Sequence, residues 1–212
     1  MQFIEAIQNY SEQPITKQIL LDLLKDYKRP FDKIHELVKQ GILLQVKRGI
    51  FIPGPRLKIA RPESFLLANH LLGPSYVSLD SALSHWGLIP ERVFEISSVT
   101  TNPSKIYKTA IGRFSYTHME LPYYSFGIKQ VALTKKQTVL MASPEKALCD
   151  KIITTSGVLL RSVKQTLALL IEDFRIEKLL LRDLEITTIS NWLDAAPKKN
   201  SLLVLLKTLK SL

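Results

Sequence analysis

The stretch TKQILLDLLKDYKRPFDKIHELVKQGILLQVKRGIFIP, residues 16–53, decides the fold of the N-terminal part of this 212-residue chain. It reads as a helix, a basic turn, a second helix, a glycine and two short apolar strands around Lys47-Arg48-Gly49. This order is typical of a winged helix-turn-helix, in which one helix enters the major groove of DNA. The sequence therefore predicts that this segment contacts DNA.

Residues at the ends of the predicted helices support this interpretation. Thr16 offers a side-chain oxygen as an N-cap, and Pro30 fits a first helical position, where its missing N–H is not needed. Gly41 supplies a left-handed stop. A further helix precedes this segment, because apolar residues repeat at helical spacing from Phe3 to Tyr10. The apolar faces are predicted as Ile19, Leu20, Leu23 and Leu24 on the second helix, and Phe31, Ile34, Leu37 and Val38 on the third.

The opposite face of the third helix is predicted to meet DNA, because helical residues advance by about 100° each. Its polar side chains match base edges: Lys can approach guanine, Gln adenine and Glu the cytosine amino group. Flanking cations are expected to hold phosphates without reading sequence, and the hairpin tip to enter an adjacent minor groove. Alternatively, this is a solvated face on a small helical domain that binds protein. The predicted DNA-binding residues are Arg29, Asp32, Lys33, Glu36 and Gln40 on the face, Lys17, Lys28, Lys39 and Arg56 beside it, and Lys47 and Arg48 at the tip.

The rest of the chain is predicted to be a second domain over residues 58–212, following a winged helix-turn-helix domain over residues 1–57. Its pattern mixes helices with strands rich in β-branched and aromatic residues, and the last part is helical. The fold class is therefore α+β, with a mixed α/β domain, a mainly antiparallel sheet and a C-terminal helical tail. Helices are expected over 62–72, 79–86, from Ser143 onward, and over 163–171, 176–181, 184–193 and 201–209; strands are expected over Arg92–Thr100, Ser104–Thr109, Arg113–Glu120, Ile128–Leu133 and Thr138–Met141.

Composition narrows the possible partners and compartments. A formal net charge of +10 suits a polyanionic partner. The single cysteine, Cys149, excludes an intramolecular disulfide and a multi-cysteine zinc site, and we expect it to be a reduced thiol on a helix. The sequence carries no segment of signal-peptide type and no apolar run of the roughly 20 residues that span a bilayer. A cytoplasmic protein without a membrane partner is expected.

Catalytic motifs are not found. The chain has no glycine-rich phosphate loop, so no cofactor is predicted. Glu145, Lys146 and Asp150 lie on one predicted helix and suggest a nuclease, but the sequence offers no second element that would bring carboxylates to the same metal ion. The protein is therefore predicted not to be an enzyme and to hold no metal. Four histidines lack metal-ligand spacing, and they are His35, His70, His85 and His118.

Basic and aromatic residues alternate between residues 105 and 136. Such interleaving can grip nucleic acid through phosphate contacts and stacking. A half-buried sheet with a solvated lysine face gives the same pattern, and we favour this second interpretation. The residues are Lys105, Lys108, Arg113, Lys129, Lys135 and Lys136, with Tyr107, Phe114, Tyr116, Tyr123, Tyr124 and Phe126.

With these residues in view, the chain resembles the AbiEi family of abortive-infection antitoxins. Four segments carry the resemblance, and together they span most of residues 1–155. They are the N-terminal helix-turn-helix that ends in the wing GILLQVKRGIFIPG (41–54), the helix opening ARPESFLLANHL (60–71), YVSLDSALSHWGLIPERV followed by EISSVTT (76–93 and 95–101), and the helix start SPEKALCDKI (143–152).

The resemblance implies a bipartite antitoxin. Its N-terminal domain would bind inverted repeats in its own promoter and repress the operon, with Pro30–Gln40 as the reading helix and Leu43–Pro53 as the wing. Its C-terminal domain would neutralise a cognate nucleotidyltransferase-like toxin, although no toxin-binding residue transfers by motif. The alternatives are a stand-alone transcriptional regulator with a ligand-sensing or dimerisation domain, and an enzyme acting on nucleic acid.

Overall fold

The structure is a computed structural model and describes residues 2–91 and 93–212. It is a mixed α+β fold. Three strands, β1 (Ile15–Thr16), β2 (Leu43–Lys47) and β3 (Ile50–Pro53), form an antiparallel sheet in the order β1-β3-β2. The predicted helices and hairpin of this part agree with the structure to within about two residues, and β1 is a strand that the sequence pattern did not indicate. The first elements are α1 (Gln2–Asn9), β1 (Ile15–Thr16), α2 (Lys17–Leu23), α3 (Pro30–Lys39), β2 (Leu43–Lys47) and β3 (Ile50–Pro53).

Side-chain signals set the ends of these helices, as predicted. The Thr16 hydroxyl accepts a hydrogen bond of 3.3 Å from the backbone N–H of Ile19, and Pro30 opens α3. Gly41 ends it with a φ of +68°, a conformation that glycine adopts without a Cβ clash. The core that these helices enclose consists of Ile7, Ile15, Leu20, Leu24, Ile34, Leu37, Leu43 and Phe51.

The prediction that Phe31 packs inward is wrong. Its side chain is 53% exposed, whereas Ile34 and Leu37 on the same helix are buried. The geometry of the helix explains the difference, since Phe31 lies about 120° around the axis from Leu37 and therefore at the margin of the apolar stripe.

The β2–β3 hairpin is shared between two hydrophobic cores. Leu43 and Phe51 belong to the N-terminal core, while Val46 and Ile52 are buried in the larger core of the rest of the chain. Alternate residues of a strand point to opposite faces, so both faces of this hairpin are covered. After the hairpin, the N–H of Gly54 donates to the carbonyl of Ile42 at 2.8 Å.

The second sheet has six strands in the order β6-β7-β5-β4-β9-β8. β4 pairs with β9 and β5 pairs with β7 in parallel, and the other three pairings are antiparallel. Three of the five pairings are thus antiparallel, in agreement with the prediction of a mainly antiparallel sheet, and the two parallel pairings make the sheet mixed. The elements are α4 (Ser64–Leu71), β4 (Ser75–Val77), α5 (Leu79–His85), β5 (Glu95–Thr100), β6 (Lys105–Thr109), β7 (Gly112–His118), β8 (Ile128–Ala132), β9 (Thr138–Ala142) and α6 (Pro144–Thr154).

Most predicted elements of this region are confirmed with small shifts of their ends. The strand predicted over Arg92–Thr100 begins at Glu95, and Arg92 itself lies outside the described residues. The sequence pattern missed β4 because three residues are too few to establish an alternation. The Ser143 hydroxyl caps α6 by accepting from the N–H of Lys146 at 3.2 Å, as expected.

The predicted helical tail packs onto the sheet domain. Leu202 and Leu205, on its last helix, are fully buried in the larger core. No helix within the described residues combines the length and apolar character needed to cross a membrane. The tail consists of α7 (Val163–Ala168) with a π-helical turn over Leu169–Asp173, α8 (Lys178–Arg182), α9 (Ile186–Trp192) and α10 (Lys199–Lys210).

A buried ion pair holds α6 against the sheet. The Lys146 ammonium lies 3.1 Å from the Asp150 carboxylate one turn later, and both side chains are fully buried. Tyr76 and Ser78 donate hydroxyl hydrogen bonds of 2.9 and 2.7 Å to the same carboxylate. The Lys146 ammonium also sits 3.2 Å from the centre of the Tyr123 ring. Burial raises the pKa of Asp150 and lowers that of Lys146. These residues form part of the core and offer no open site.

Candidate nucleic-acid interface

Helix α3 exposes its outer face between two flanks of different chemistry. Asp32, His35, Glu36 and Lys39 on this face are exposed. One flank adjoins the turn between α2 and α3, and the other adjoins the tip of the β2–β3 hairpin. The eleven residues predicted to bind DNA are distributed over the outer face, the two flanks, the C-terminal end of α3 and, for Lys47, a contact with α4, and they are not gathered on a single face.

The first flank, which we term the Glu36 flank, is a shallow depression of paired charges lined by Tyr27, Lys28, Arg29, Asp32, Lys33 and Glu36. The Lys33 ammonium lies 2.9 Å from a Glu36 carboxylate oxygen. Gln40 donates to the other oxygen of that carboxylate at 2.8 Å. The hydrogen bond from Lys33 lowers the pKa of Glu36, so this carboxylate is held in its charged form.

This pairing changes what the Glu36 flank offers to DNA. The Lys33 charge is compensated by Glu36, and Arg29 lies 3.8 Å from Asp32. Exposed pairs of this kind are weak, so a phosphate can displace a carboxylate from either cation. The flank therefore presents three cations, Lys28, Arg29 and Lys33, interspersed with the carboxylates of Asp32 and Glu36.

The second flank is a groove between α3 and the hairpin, with a volume of about 300 Å³. Its floor is apolar and its rims are cationic. The Lys17 ammonium lies 5.1 Å from the centre of the exposed Phe31 ring. The backbone N–H of Lys17 donates to the carbonyl of Gly49 at 2.9 Å, which fixes the start of α2 against the hairpin tip. We call this the Phe31 groove, and it is lined by Lys17, Phe31, Ile34, His35, Val38, Gln45, Arg48, Gly49 and Phe51.

Lys47 occupies a different position from its predicted one at the hairpin tip. Its ammonium donates to the backbone carbonyl of Leu71 at 2.7 Å and lies 4.8 Å from the centre of the Tyr107 ring. The physical reason is an irregularity in the β2–β3 register between Gln45 and Lys47, because a bulge redirects the following side chain. Lys47 therefore points to the second sheet, and Arg48 alone supplies a cation at the tip.

The remaining predicted cations lie around α3. Lys28 lines the Glu36 flank, and Lys39 is exposed in the last turn of α3. The N–H of Arg56 donates to the carbonyl of Gly41 at 3.0 Å, which places Arg56 beside the C-terminal end of α3. These cations surround the helix and leave Asp32 and Glu36 near its centre.

Of the residues that line the Phe31 groove, only Lys17 and Arg48 were among the predicted contacts, and the exposed Phe31 and His35 were missed. His35 could have been found, because its position on the helix is next to the predicted face. Phe31 carried only a weak signal, since an apolar residue at the margin of a stripe is assigned to the core by default.

The basic and aromatic strands 105–136 form a half-buried sheet, as the favoured interpretation expected. Phe114, Tyr116, Tyr123 and Tyr124 are buried, so their faces are closed to bases. Tyr107 is partly buried and packs edge-on against Tyr116 at 5.9 Å between ring centres. Among the exposed lysines of this sheet, the Lys105 ammonium lies 5.1 Å from the centre of the Tyr107 ring.

A separate pocket of about 280 Å³ lies between α5, α6 and the π-helical turn. Lys151 pairs with Asp80 at its wall, and Arg175 lies 2.8 Å from Glu91 nearby. Across residues 2–91 and 93–212, no three His, Cys, Asp or Glu side chains are grouped so that they could hold a metal ion. The pocket lining is Asp80, Ile89, Glu91, Val93, Lys151, Asp173 and Phe174.

Comparisons of the chain with known proteins gave no further assignment. No family model matches the sequence, and no curated protein matches it significantly. Function is therefore inferred from the arrangement of α3, the hairpin and their charges.

Proposed function

We propose that the protein binds duplex DNA through an N-terminal winged helix-turn-helix. One observation carries the proposal: the outer face of α3 is exposed next to a hairpin tip, and Lys17 and Arg48 line the groove between them. A helix of this kind fits the major groove, which is about 12 Å wide. Cations on its flank suit the phosphates beside that groove.

Specificity in this proposal comes from the polar side chains at the centre of α3. Asp32 and Glu36 can each accept a hydrogen bond from a cytosine amino group, and Gln40 can pair with adenine. In the free protein Glu36 contacts Lys33 and Gln40, and these weak exposed contacts are exchanged for contacts with bases and phosphates when DNA binds. The acidic centre also disfavours binding to DNA without the matching bases, because an unpaired carboxylate next to phosphates is repelled.

We extend the proposal to an antitoxin and autorepressor without catalytic activity. Its support is the sequence resemblance to AbiEi antitoxins, whose four segments form the hairpin, α4, the β4–α5 region and the start of α6. In this role, the domain from residue 58 onward neutralises a nucleotidyltransferase-like toxin. The cognate toxin and inverted repeats in the promoter are the partners to be tested.

The second candidate is a stand-alone regulator that senses a ligand. Two observations favour it: the pocket lined by Asp80 and Lys151, and the contact of Lys47 with Leu71 and Tyr107, which joins the hairpin to the sheet domain. A ligand that altered this contact would reach the DNA-binding hairpin. This candidate predicts DNA binding without toxin neutralisation.

The DNA-binding proposal is tested by fluorescence anisotropy with labelled duplexes that tile the region upstream of the protein's own reading frame. We expect one duplex to bind at least about 1,000-fold more tightly than unrelated DNA. Replacing both Lys17 and Arg48 with Ala should abolish most of that binding, while Lys164→Ala, an exposed change on α7, should leave it unchanged. Equal binding of the double variant and the wild type would refute the proposed interface.

Co-expression separates the two candidates. The test applies if the neighbouring reading frame encodes a nucleotidyltransferase-like product. That product is expressed with and without this chain, and the growth of the host cells is measured. Rescue of growth by the Lys17→Ala/Arg48→Ala variant would support an antitoxin whose neutralising part is separate from DNA contact. Lack of rescue by the wild-type chain would leave the regulator as the better candidate.

A further inference from the structure

Phe31 is an apolar side chain placed where the proposed interface meets DNA. It is the second residue of α3, and 53% of its surface is exposed. The N-terminal residues of a recognition helix are those that contact base edges. The ring is exposed and belongs to neither of the two hydrophobic cores, so burial in a core does not account for a phenylalanine here.

The surroundings of Phe31 combine an apolar floor with positive rims. Ile34 and Val38 extend the apolar surface from one turn of α3 to the next, and Phe51 continues it onto the hairpin. The Lys17 ammonium lies 5.1 Å from the Phe31 ring centre, and Arg48 lines the same groove. An occupant of this groove therefore carries an apolar group close to negative charges.

The major groove of DNA presents such a combination at thymine. The 5-methyl group of thymine is the only apolar group on the major-groove edges of the four bases. Phenylalanine is among the side chains that contact it. Phosphates on both sides of the base supply the negative charges for Lys17 and Arg48.

We propose that Phe31 reads the 5-methyl group of a pyrimidine in the operator, with Lys17 and Arg48 on the flanking phosphates. Thymine and 5-methylcytosine both carry this group, and the experiment below separates them. The inference rests on the proposed DNA-binding function. It adds a base contact on the hairpin side of α3, opposite the polar contacts of the Glu36 flank.

The test uses the tightest duplex found by anisotropy and replaces each thymine in turn with uracil, which lacks only the methyl group. We expect one position in each binding site at which uracil weakens binding roughly threefold to fivefold, the effect of exposing one methyl group to water. Phe31→Ala should lower affinity for the thymine duplex by a similar factor or more and should bind the thymine and uracil duplexes equally. The affinity of the Phe31→Ala variant for DNA should depend on salt concentration as that of the wild type does, because the variant loses no phosphate contact.

Tyr27→Ala is the matched control, because Tyr27 is also an exposed aromatic residue but lines the Glu36 flank. This variant should keep the preference for thymine over uracil. In the second arm, cytosine and 5-methylcytosine are compared at the sensitive position. Tighter binding of the methylated base shows that the methyl group itself is read, and equal binding confines the contact to thymine.

The possible failures are distinguishable. If the wild-type chain binds no duplex with preference, the proposed function fails, and this inference fails with it. If the chain binds DNA but no thymine is sensitive to uracil, or if Phe31→Ala keeps the preference, the methyl contact is refuted while the DNA-binding function stands. The uracil scan uses the wild-type chain, so its result does not depend on the folding of a variant. Circular dichroism shows whether Phe31→Ala is folded. If the same variant binds DNA normally but loses toxin rescue, Phe31 faces a protein partner, and the inference is refuted.

Discussion

The ammonium of Lys47 lies 2.7 Å from the backbone carbonyl oxygen of Leu71, so the hairpin proposed to touch DNA is hydrogen-bonded to helix α4. The neighbouring cation, Arg48, is exposed and lines the Phe31 groove. Two adjacent basic residues thus have separate tasks. One joins two parts of the protein, and the other is available to a phosphate.

Single replacements of these two residues should affect different properties, namely the stability of the fold for Lys47 and the binding of DNA for Arg48. We expect Lys47→Ala to lower the free energy of unfolding by about 1.5 kcal/mol, because a hydrogen bond from a charged donor is lost. Arg48→Ala should change stability by less than about 0.5 kcal/mol but reduce the slope of log affinity against log salt by roughly one unit. Urea unfolding measures the first effect, and the affinity for DNA measured by anisotropy at several salt concentrations gives the second. If Lys47→Ala lowered the salt slope and Arg48→Ala did not, the phosphate contact would belong to Lys47, and the assignment of this contact to Arg48 would be contradicted.

Gly54→Ala should destabilise the protein by on the order of 3 kcal/mol or more. A Cβ atom at this position would lie 2.2 Å from the carbonyl oxygen of Gly41, and that obstacle is backbone. Gly49→Ala is the control, since Gly49 has a φ of +86° and open space around it. Only backbone strain of about 1–2 kcal/mol is expected there. Thermal unfolding compares the two variants, and equal losses would mean that the close approach of Gly54 to Gly41 is not maintained.

The buried pair of Lys146 and Asp150 should show strong non-additivity. Lys146→Met or Asp150→Asn alone should cost about 3–5 kcal/mol, because each leaves an uncompensated partner in the core. The double variant should lose much less than the sum of the two single losses, since neither charge remains. A double-mutant cycle in urea provides the measurement. Additive losses would indicate that the two groups are not paired in solution.

Cys149 should resist thiol reagents in the native protein. Its side chain is fully buried, and burial raises the pKa of the thiol, so the reactive thiolate is scarce even at mildly alkaline pH. We expect negligible reaction with Ellman's reagent at pH 8 and complete reaction of one thiol in guanidinium chloride. Fast labelling of the native protein would contradict the buried position.

The elements that local chemistry specifies could be predicted from the sequence. Thr16, Pro30 and Gly41 each act on the backbone within a few residues of themselves, and they marked α2 and α3 correctly. The mixed order of the second sheet could not be predicted, because the parallel pairings of β4 with β9 and of β5 with β7 join strands distant in sequence.

The candidate site was only partly predictable for a related reason. Arg29, Asp32 and Lys33 follow from helical periodicity alone, and the structure places them together. The direction of Lys47 depends on a register irregularity in the hairpin, which leaves no trace in the residue pattern. Phe31 lies at the margin of the apolar stripe of α3, where the residue pattern alone does not decide between core and solvent.

The hairpin with two buried faces has a consequence for synthesis of the chain. When residues up to about 59 have emerged from the ribosome, Leu43 and Phe51 can already join the N-terminal core, but Val46 and Ile52 still lack the residues that bury them. Strands with exposed apolar side chains are prone to aggregation and to pairing with the wrong strand. Co-translational maturation of the hairpin therefore waits for the later part of the polypeptide, and a prematurely terminated product exposes a surface that proteases and chaperones recognise.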